Sequence, residues 1–260
     1  MLICWIKTLK NMLRMQQIKW VEPLDLAYQI STSTYQENWV FLYSGLNEQI
    51  KNSKSYLCLY PQEEIISDGF SELEKDLNNK YFGYLAYDLK NQLEDLKDGE
   101  KSFLDLPNLW MINFGLVLEF DHDRRQITQH SQNKLFVIPA QAGIQNQDEK
   151  LDYRLRRNDK EGENDKTNIK TLTSNFTKSE YLKKVKTIQT HIENGDIYQA
   201  NLTRKFFGEF QKKPQNAFEI FLKLNQESPA NYSAFLKLGD NFIISSSPEL
   251  FLKIDDSGKV

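Results

Sequence analysis

The sequence predicts an α+β fold. Three observations point there. Two long stretches carry apolar residues at helical spacing behind good caps. Short aromatic and β-branched runs, separated by turn residues, read as antiparallel hairpins rather than as strands alternating with helices. The 260 residues are 40% apolar and 12% aromatic, enough for a sizeable core.

The elements follow in order. Residues 23–31 read as a short helix opened by Pro23, whose fixed φ and missing N–H suit a first turn. "WVFLYSG" (39–45) and "SYLCLYP" (55–61) read as strands of one hairpin across a polar loop, 46–54. Phe70, Leu73 and Leu77 share a helical face, predicting a helix over 70–78. "YFGYLAYDLK" (81–90) reads as a strand or a tight strand-to-helix passage. "WMINFGLVLEF" (110–120) is strand-like, "DHDRR" turns the chain, and "QITQHS" returns it. Residues 135–170 turn polar and charge-dense without a sustained period, which is unusual inside a compact domain.

Order returns at Thr177, which forms a capping box with Glu180. Tyr181, Val185, Ile188 and Ile192 then make one stripe, and Gly195 stops the helix. Residues 197–210 read as a strand and 214–228 as a second amphipathic helix. Three strands close the sequence, broken at Gly239-Asp240 and Ser247-Pro248.

Composition excludes several functions. The formal net charge is −3 and basic residues are scattered, so nucleic acid is not an expected partner. No apolar run reaches the ~20 residues of a membrane span, so no membrane association is expected. The two cysteines, Cys4 and Cys58, lack metal-type spacing and read as free thiols in a reducing, cytoplasmic setting. The three histidines are not clustered like metal ligands; His122 falls in a turn and His191 on the polar side of a helix. Residues 1–14 mix apolar and basic residues without a signal-peptide pattern and read as an extension or over-called start.

Three segments carry a resemblance: "IENGDIYQANLTRKF", "SPANYSAFL" and "ISSSPELFL", in this order and spacing. They resemble the chorismate-utilising enzymes, and within them the aminodeoxychorismate synthase component I type of the p-aminobenzoate and folate branch. "FLYSG" and "YFGYLAYDL" resemble the N-terminal region of the same family. The alternative is anthranilate synthase component I, whose first motif reads closer to "GDIFQVVLSQRF" and which carries "NPSPYMF" where this chain has "SPANYSAF". The resemblance implies a two-sheet β-sandwich with outer helices. It divides the chain into an N-terminal region (15–134), a loop (135–170) and the start of a chorismate-binding region (171–260). Within the loop, "VIPAQAGIQ" and "DYRLRRNDKEG" resemble a translated repetitive DNA element, hence an insertion; the alternative is a basic docking loop at Arg154, Arg156 and Arg157.

For chemistry the resemblance implies replacement of the C4 hydroxyl of chorismate by ammonia from a glutamine amidotransferase subunit. Glu249 matches the general acid. The role suits a carboxyl group, because hydroxide leaves only as it is protonated, and a carboxylic acid holds a proton near neutrality only where burial raises its pKa. Pro248 has no N–H, so it ends a ladder just before that acid. Ser44, Asn52, Ser53, Lys54, Ser55, Asn231, Tyr232 and Ser233 match a pocket that binds tryptophan in some relatives; plain structural roles are the alternative. Tyr198, Gln199 and Asn201 are expected to support the active site, with Gln199 and Asn201 on one face of a strand. Magnesium is implied for the full enzyme, with its ligands and the lysine nucleophile in later motifs and no metal ligand in this chain. The expectation is therefore a front portion inactive alone, completed by a separately encoded C-terminal half or left as a non-catalytic remnant, with raw strand edges and apolar surface.

Overall fold

The computed structural model describes residues 2–6, 14–46, 53–72, 80–94, 105–131, 169–210 and 216–252. In chain order the elements are β1 (Leu2–Ile6), β2 (Arg14–Ile18), α1 (Pro23–Thr32), β3 (Trp39–Tyr43), β4 (Lys54–Ser67), β5 (Tyr81–Leu85), β6 (Leu109–Asp121), β7 (Gln126–Ser131), β8 (Ile169–Ser174), α2 (Lys178–Glu193), β9 (Phe206–Phe210), α3 (Ala217–Glu227), β10 (Tyr232–Leu238) and β11 (Asn241–Ser247). A 3-10 turn, Tyr87–Gln92, follows β5. The chain divides into two units: Met1–Leu151 with Asn216–Val260, and Asp152–Gln215.

The first unit is built on one antiparallel sheet of nine strands, ordered β1-β5-β6-β4-β3-β10-β11, with β7 on β6 and β2 on β7. Its spine is the β4–β6 ladder, running from Lys54 opposite Asp121 to Ser67 opposite Leu109. Between Pro61 and Glu63 the register slips. Just before the slip, Tyr60 adopts a left-handed φ of 61°, and its amide donates to the Tyr35 hydroxyl at 2.6 Å. A bulge of this kind bends and coils the strand that carries it.

The coil lets the sheet cover one of its own faces. Val40, Cys58, Phe82, Tyr84, Ile112, Phe114, Leu236 and Ile243 form one buried cluster, although β5 and β11 stand far apart in strand order. The opposite face is closed by α1 and α3. Helix α1 buries Leu24, Leu26, Ala27 and Ile30. Helix α3 inserts Phe218 and Phe221 among Trp39, Phe41 and Phe235, with ring centroids 4.8–6.0 Å apart. Leu57, Cys58 and Leu59 on β4 are consecutive and all fully buried, as a strand covered on both faces requires. The two helices are tied at their ends: the Asn216 side-chain carbonyl caps α3 by accepting from the Phe218 amide, while its Nδ2 donates to Ser31 Oγ at 2.8 Å.

The second unit pairs β8 with β9 antiparallel and carries α2 between them in sequence. The Thr177–Glu180 capping box forms in both directions, and Gly195 ends the helix with φ of +78°.

The α+β class stands, and the predicted hairpin of 39–45 with 55–61 is β3 paired with β4. Two expectations differ. Residues 197–205 form no strand; only Phe206–Phe210 pairs, because the partner strand β8 meets just that segment. The third closing strand is not formed at residues 250–252, which follow the Pro248 bend, and 253–260 lie outside the described residues. Of the helix predicted over 70–78, residues 71 and 72 form a turn and 73–78 lie outside the described residues, as does the loop up to residue 168. Leu2–Ile6, within the stretch read as an extension, pair with β5.

Gly83 marks the tightest backbone approach. A Cβ there would sit 1.9 Å from the Trp110 carbonyl oxygen and 2.9 Å from Met111 Cα, both backbone atoms that have no rotamer to yield. Replacing Gly83 by Ala is expected to destabilise the first unit by about 3 kcal/mol or more, the range of strained overpacking. Urea unfolding followed by tryptophan fluorescence measures it; an unchanged midpoint would show that the strands part freely there.

Candidate functional site

One end of the nine-stranded sheet gathers most of the polar residues singled out in the sequence. The register sets Tyr232 opposite Ser247, Ser233 opposite Tyr43, Ser55 opposite Phe120 and Lys54 opposite Asp121. The end of β3, the start of β4, the β6–β7 turn, the start of β10 and the end of β11 therefore lie side by side. Ser44, Ser53, Lys54, Ser55, Asn231, Tyr232 and Ser233 all belong to this corner; Asn52 lies outside the described residues.

Hydrogen bonds tie the corner together in two groups. Ser44, Ser53, Ser55 and Ser233 are buried. The Ser44 amide donates to Ser55 Oγ at 3.1 Å, and Ser55 Oγ lies 2.7 Å from His122 Nε2. The His122 amide donates to the Ser53 carbonyl at 3.3 Å. The Gly45 amide donates to the Ala230 carbonyl at 2.8 Å, and the Ser233 hydroxyl donates to the same oxygen at 3.3 Å. A side chain at Gly45 would meet that carbonyl at 2.9 Å, so glycine permits the crossing.

Burial lowers the pKa of His122, against the opposing pull of Glu22, Asp121 and Asp123. Ser55 Oγ accepts from the Ser44 amide and also meets the imidazole, in a direction set by the His122 tautomer. Trp20 and Tyr43 flank the imidazole edge-on at 5.9 and 6.3 Å. Arg125 lies over Trp20 at 5.3 Å and donates to Glu22 Oε1 at 2.9 Å.

On the other face of the same strands, Glu119 accepts from Lys54 Nζ and meets His130 Nε2 at 3.2 Å. The His130 hydrogen bond and the Lys54 ammonium pull the Glu119 carboxyl down to about 2. Lys54 is thus engaged with a partner inside the chain. Two side-chain oxygens near the corner are buried without a hydrogen-bond partner: Asn225 Oδ1, 3.3 Å from where a Gly45 Cβ would stand, and Asn231 Oδ1. Both are acceptors facing no donor.

Glu249 sits at this end too, in the bend after β11, and is exposed. Ser247 Oγ donates to the Glu249 carbonyl at 3.0 Å and Ser246 Oγ to the Ser228 carbonyl at 2.5 Å, so hydroxyls of the serine run hold the bend. In the second unit Tyr198, Gln199 and Asn201 are all exposed, Tyr198 by 91%. With no strand there, the expected shared face of Gln199 and Asn201 does not arise. Among the described residues no three His, Cys, Asp or Glu side chains converge as a metal site. Nor is any helix there long and apolar enough to cross a membrane.

His122, Glu119, His130 and Asn225 were not picked out from the sequence. The partners of His122, Glu119 and His130 lie on other strands, as with the Ser55–His122 pair, 67 residues apart, while Asn225 donates to Phe221 within α3. Strand alternation would have placed Glu119 on one face, but only the register names Lys54 and His130 as its neighbours.

The chain belongs to the chorismate binding enzyme family, whose model matches residues 26–260. It is 29% identical over 175 residues to aminodeoxychorismate synthase component 1 of Escherichia coli, a match covering 67% of this chain and 35% of that protein. It is 27% identical over 188 residues to anthranilate synthase component 1 of Acetivibrio thermocellus, covering 69% and 37%. The matches thus span about a third of these relatives. Anthranilate synthase component I from Streptococcus pneumoniae shares the fold, with a TM-score of 0.53 at 19% identity over 93% of this chain and 59% of that one.

Two outcomes test the corner. Glu119 is held ionised in the folded state, so its contribution is full above the unfolded value near 4.5 and is lost as pH falls from there towards about 2. Glu119→Gln should flatten the acid side of the stability–pH curve in that window; an unaltered curve would show that the carboxylate contributes nothing. Ser55→Ala removes the acceptor of the Ser44 amide and the partner of the half-buried His122 imidazole. It should cost about 1–3 kcal/mol at pH 7 in urea unfolding.

Proposed function

We propose that this chain forms the front portion of an aminodeoxychorismate synthase component 1. The full enzyme would replace the C4 hydroxyl of chorismate with ammonia from a glutamine amidotransferase partner, giving 4-amino-4-deoxychorismate for p-aminobenzoate and folate synthesis. One observation carries the reading: the motifs at 192–206, 228–236 and 244–252 follow in order inside the family match, and the last sets Glu249 in the bend that closes β11. Aminodeoxychorismate synthase component 1 proteins, at 27–29% identity, are among the relatives.

In this reading Glu249 protonates the departing hydroxyl. The bend presents it clear of the ladder, and its exposure means that the remaining fold must cover it before it can act as an acid. Tyr198, Gln199 and Asn201 would line or support the same site. The corner at Ser44, Ser53, Lys54, Ser55, Asn231, Tyr232 and Ser233, with Asn52, would hold a tryptophan-like amino acid. Asn231 Oδ1, a buried acceptor without a donor, suits the ligand ammonium. Magnesium belongs to the full enzyme; the described residues do not form a fitting ligand set, so no step passes through it here. The matched stretch alone would not turn over chorismate, and a separate polypeptide would complete it.

A second reading, anthranilate synthase component 1, draws on relatives of that name at 26–28% identity. One experiment separates the two. The chain is combined with a polypeptide carrying the rest of the family fold, and chorismate and ammonium are supplied. Aminodeoxychorismate is the expected product, and anthranilate supports the second reading. Glu249→Gln should lower kcat by about 100-fold or more, as loss of a general acid does. Turnover by the chain alone, or an undiminished rate in the variant, overturns the proposal.

A further inference from the structure

The two buried amide oxygens of the polar corner, Asn225 Oδ1 and Asn231 Oδ1, have nothing donating to them. Asn225 is only 8% exposed. Its orientation is fixed: Nδ2 donates to the Phe221 carbonyl at 2.9 Å, one turn earlier in α3, and turning the amide over would set oxygen against oxygen. The remaining oxygen lies beside the crossing of Gly45 with Ala230, 3.3 Å from where a Gly45 Cβ would stand. Asn231 follows Ala230 directly. Buried acceptors are ordinarily met by a donor, so a pair left unmet at one crossing asks what is missing.

Asn231 is this chain's own departure. In "SPANYSAF" set against "NPSPYMF", it stands at the second proline, a residue whose side chain can accept nothing. Packing alone gives no reason to put an amide oxygen there.

The charges narrow the donor. A primary ammonium carries three N–H groups and no lone pair, so it suits acceptors alone. Glu22, Asp121 and Asp123 act on His122 in the same corner, a field that favours a cation. The bordering cations are already engaged: Lys54 with Glu119, Arg125 with Glu22 and Arg124 with Asp121. A ligand carboxylate would enter this field with no counter-charge to spare among those three groups. Trp20 and Tyr43, edge-on to His122, and Tyr232, next to Asn231, offer rings to an aromatic ligand body.

We propose that the corner selects its ligand by a primary ammonium held at Asn225 and Asn231, that it gives the ligand carboxylate no recognition, and that Asn231 sets this specificity. The claim rests on the corner being a ligand pocket. It adds which end of the ligand is read, and so admits arylalkyl amines to the ligand class alongside amino acids.

The test is calorimetric titration of the full chain at pH 7 with three probes: tryptophan, tryptamine, which lacks the carboxylate, and indole-3-propionate, which lacks the ammonium. Tryptamine should bind at least as tightly as tryptophan. Indole-3-propionate should bind at least ~10-fold more weakly than either, the scale of one hydrogen bond to a charged group. Asn231→Ala should weaken both ammonium probes by about 10-fold or more, and Asn231→Asp, which keeps an acceptor and adds charge, should restore tryptamine binding. Circular dichroism and the urea midpoint of each variant show that the fold is kept. Tryptophan binding without tryptamine binding, indole-3-propionate binding as tightly as tryptophan, or ammonium probes indifferent to Asn231→Ala would overturn the proposal while leaving the corner a ligand pocket. No binding of any probe would sink the pocket reading and the proposal together.

Discussion

The bulged antiparallel pairing of β4 with β6 is the constraint on which the first unit depends. It is the longest ladder in the sheet, and every other strand is placed by it directly or through one or more neighbours. The extra residue between Pro61 and Glu63 turns a long ribbon into a coiled one. Without the coil, the face carrying Val40, Cys58 and Phe82 would lie open, since no helix among the described residues is shown against it. With it, β5 and β11 contribute to the same core. Tyr35 supports the bend by accepting from the Tyr60 amide.

The polar corner follows from the same pairing. Strand ends carry backbone groups that the ladder no longer serves, and burying them unpaired would be costly. Here the hydroxyls of Ser55 and Ser233 take up such groups, and the His122 imidazole meets Ser55. The cluster therefore has a sufficient structural reason to exist. What structure alone does not account for is the pair of buried amide oxygens, Asn225 Oδ1 and Asn231 Oδ1, that face no donor. The candidate acid shares this sheet end, separated from Ser44 by β10, so a ligand in the corner and the chemistry at Glu249 would bear on one strand.

The two units differ in kind. The first buries an extensive core, although Met15, Leu93, Phe242 and Phe251 remain exposed. The second shows capping, turn and stripe yet leaves its side chains half-buried or exposed. Local signals can shape a helix, but they cannot stabilise it without a surface to bury. The contrast also explains the misread stretch 197–205: β-branched and aromatic content predicts strand only where a partner strand is in reach, and β8 reaches no further than Phe206.

By itself the sequence determined whatever depends on neighbours along the chain: the α+β class, α1 from Pro23, the Thr177–Glu180 cap, the β3–β4 hairpin, and a run of motifs specific enough to point to the family. Those features rest on periods of two and 3.6 and on side chains that bond their own backbone. Tertiary structure decided what depends on register: the coil at Tyr60, the meeting of Ser55 with His122 and of Glu119 with Lys54 and His130, and the exposed bend at Glu249. Each joins groups that no local period relates, because a contact across strands is set by how far each ladder has slipped.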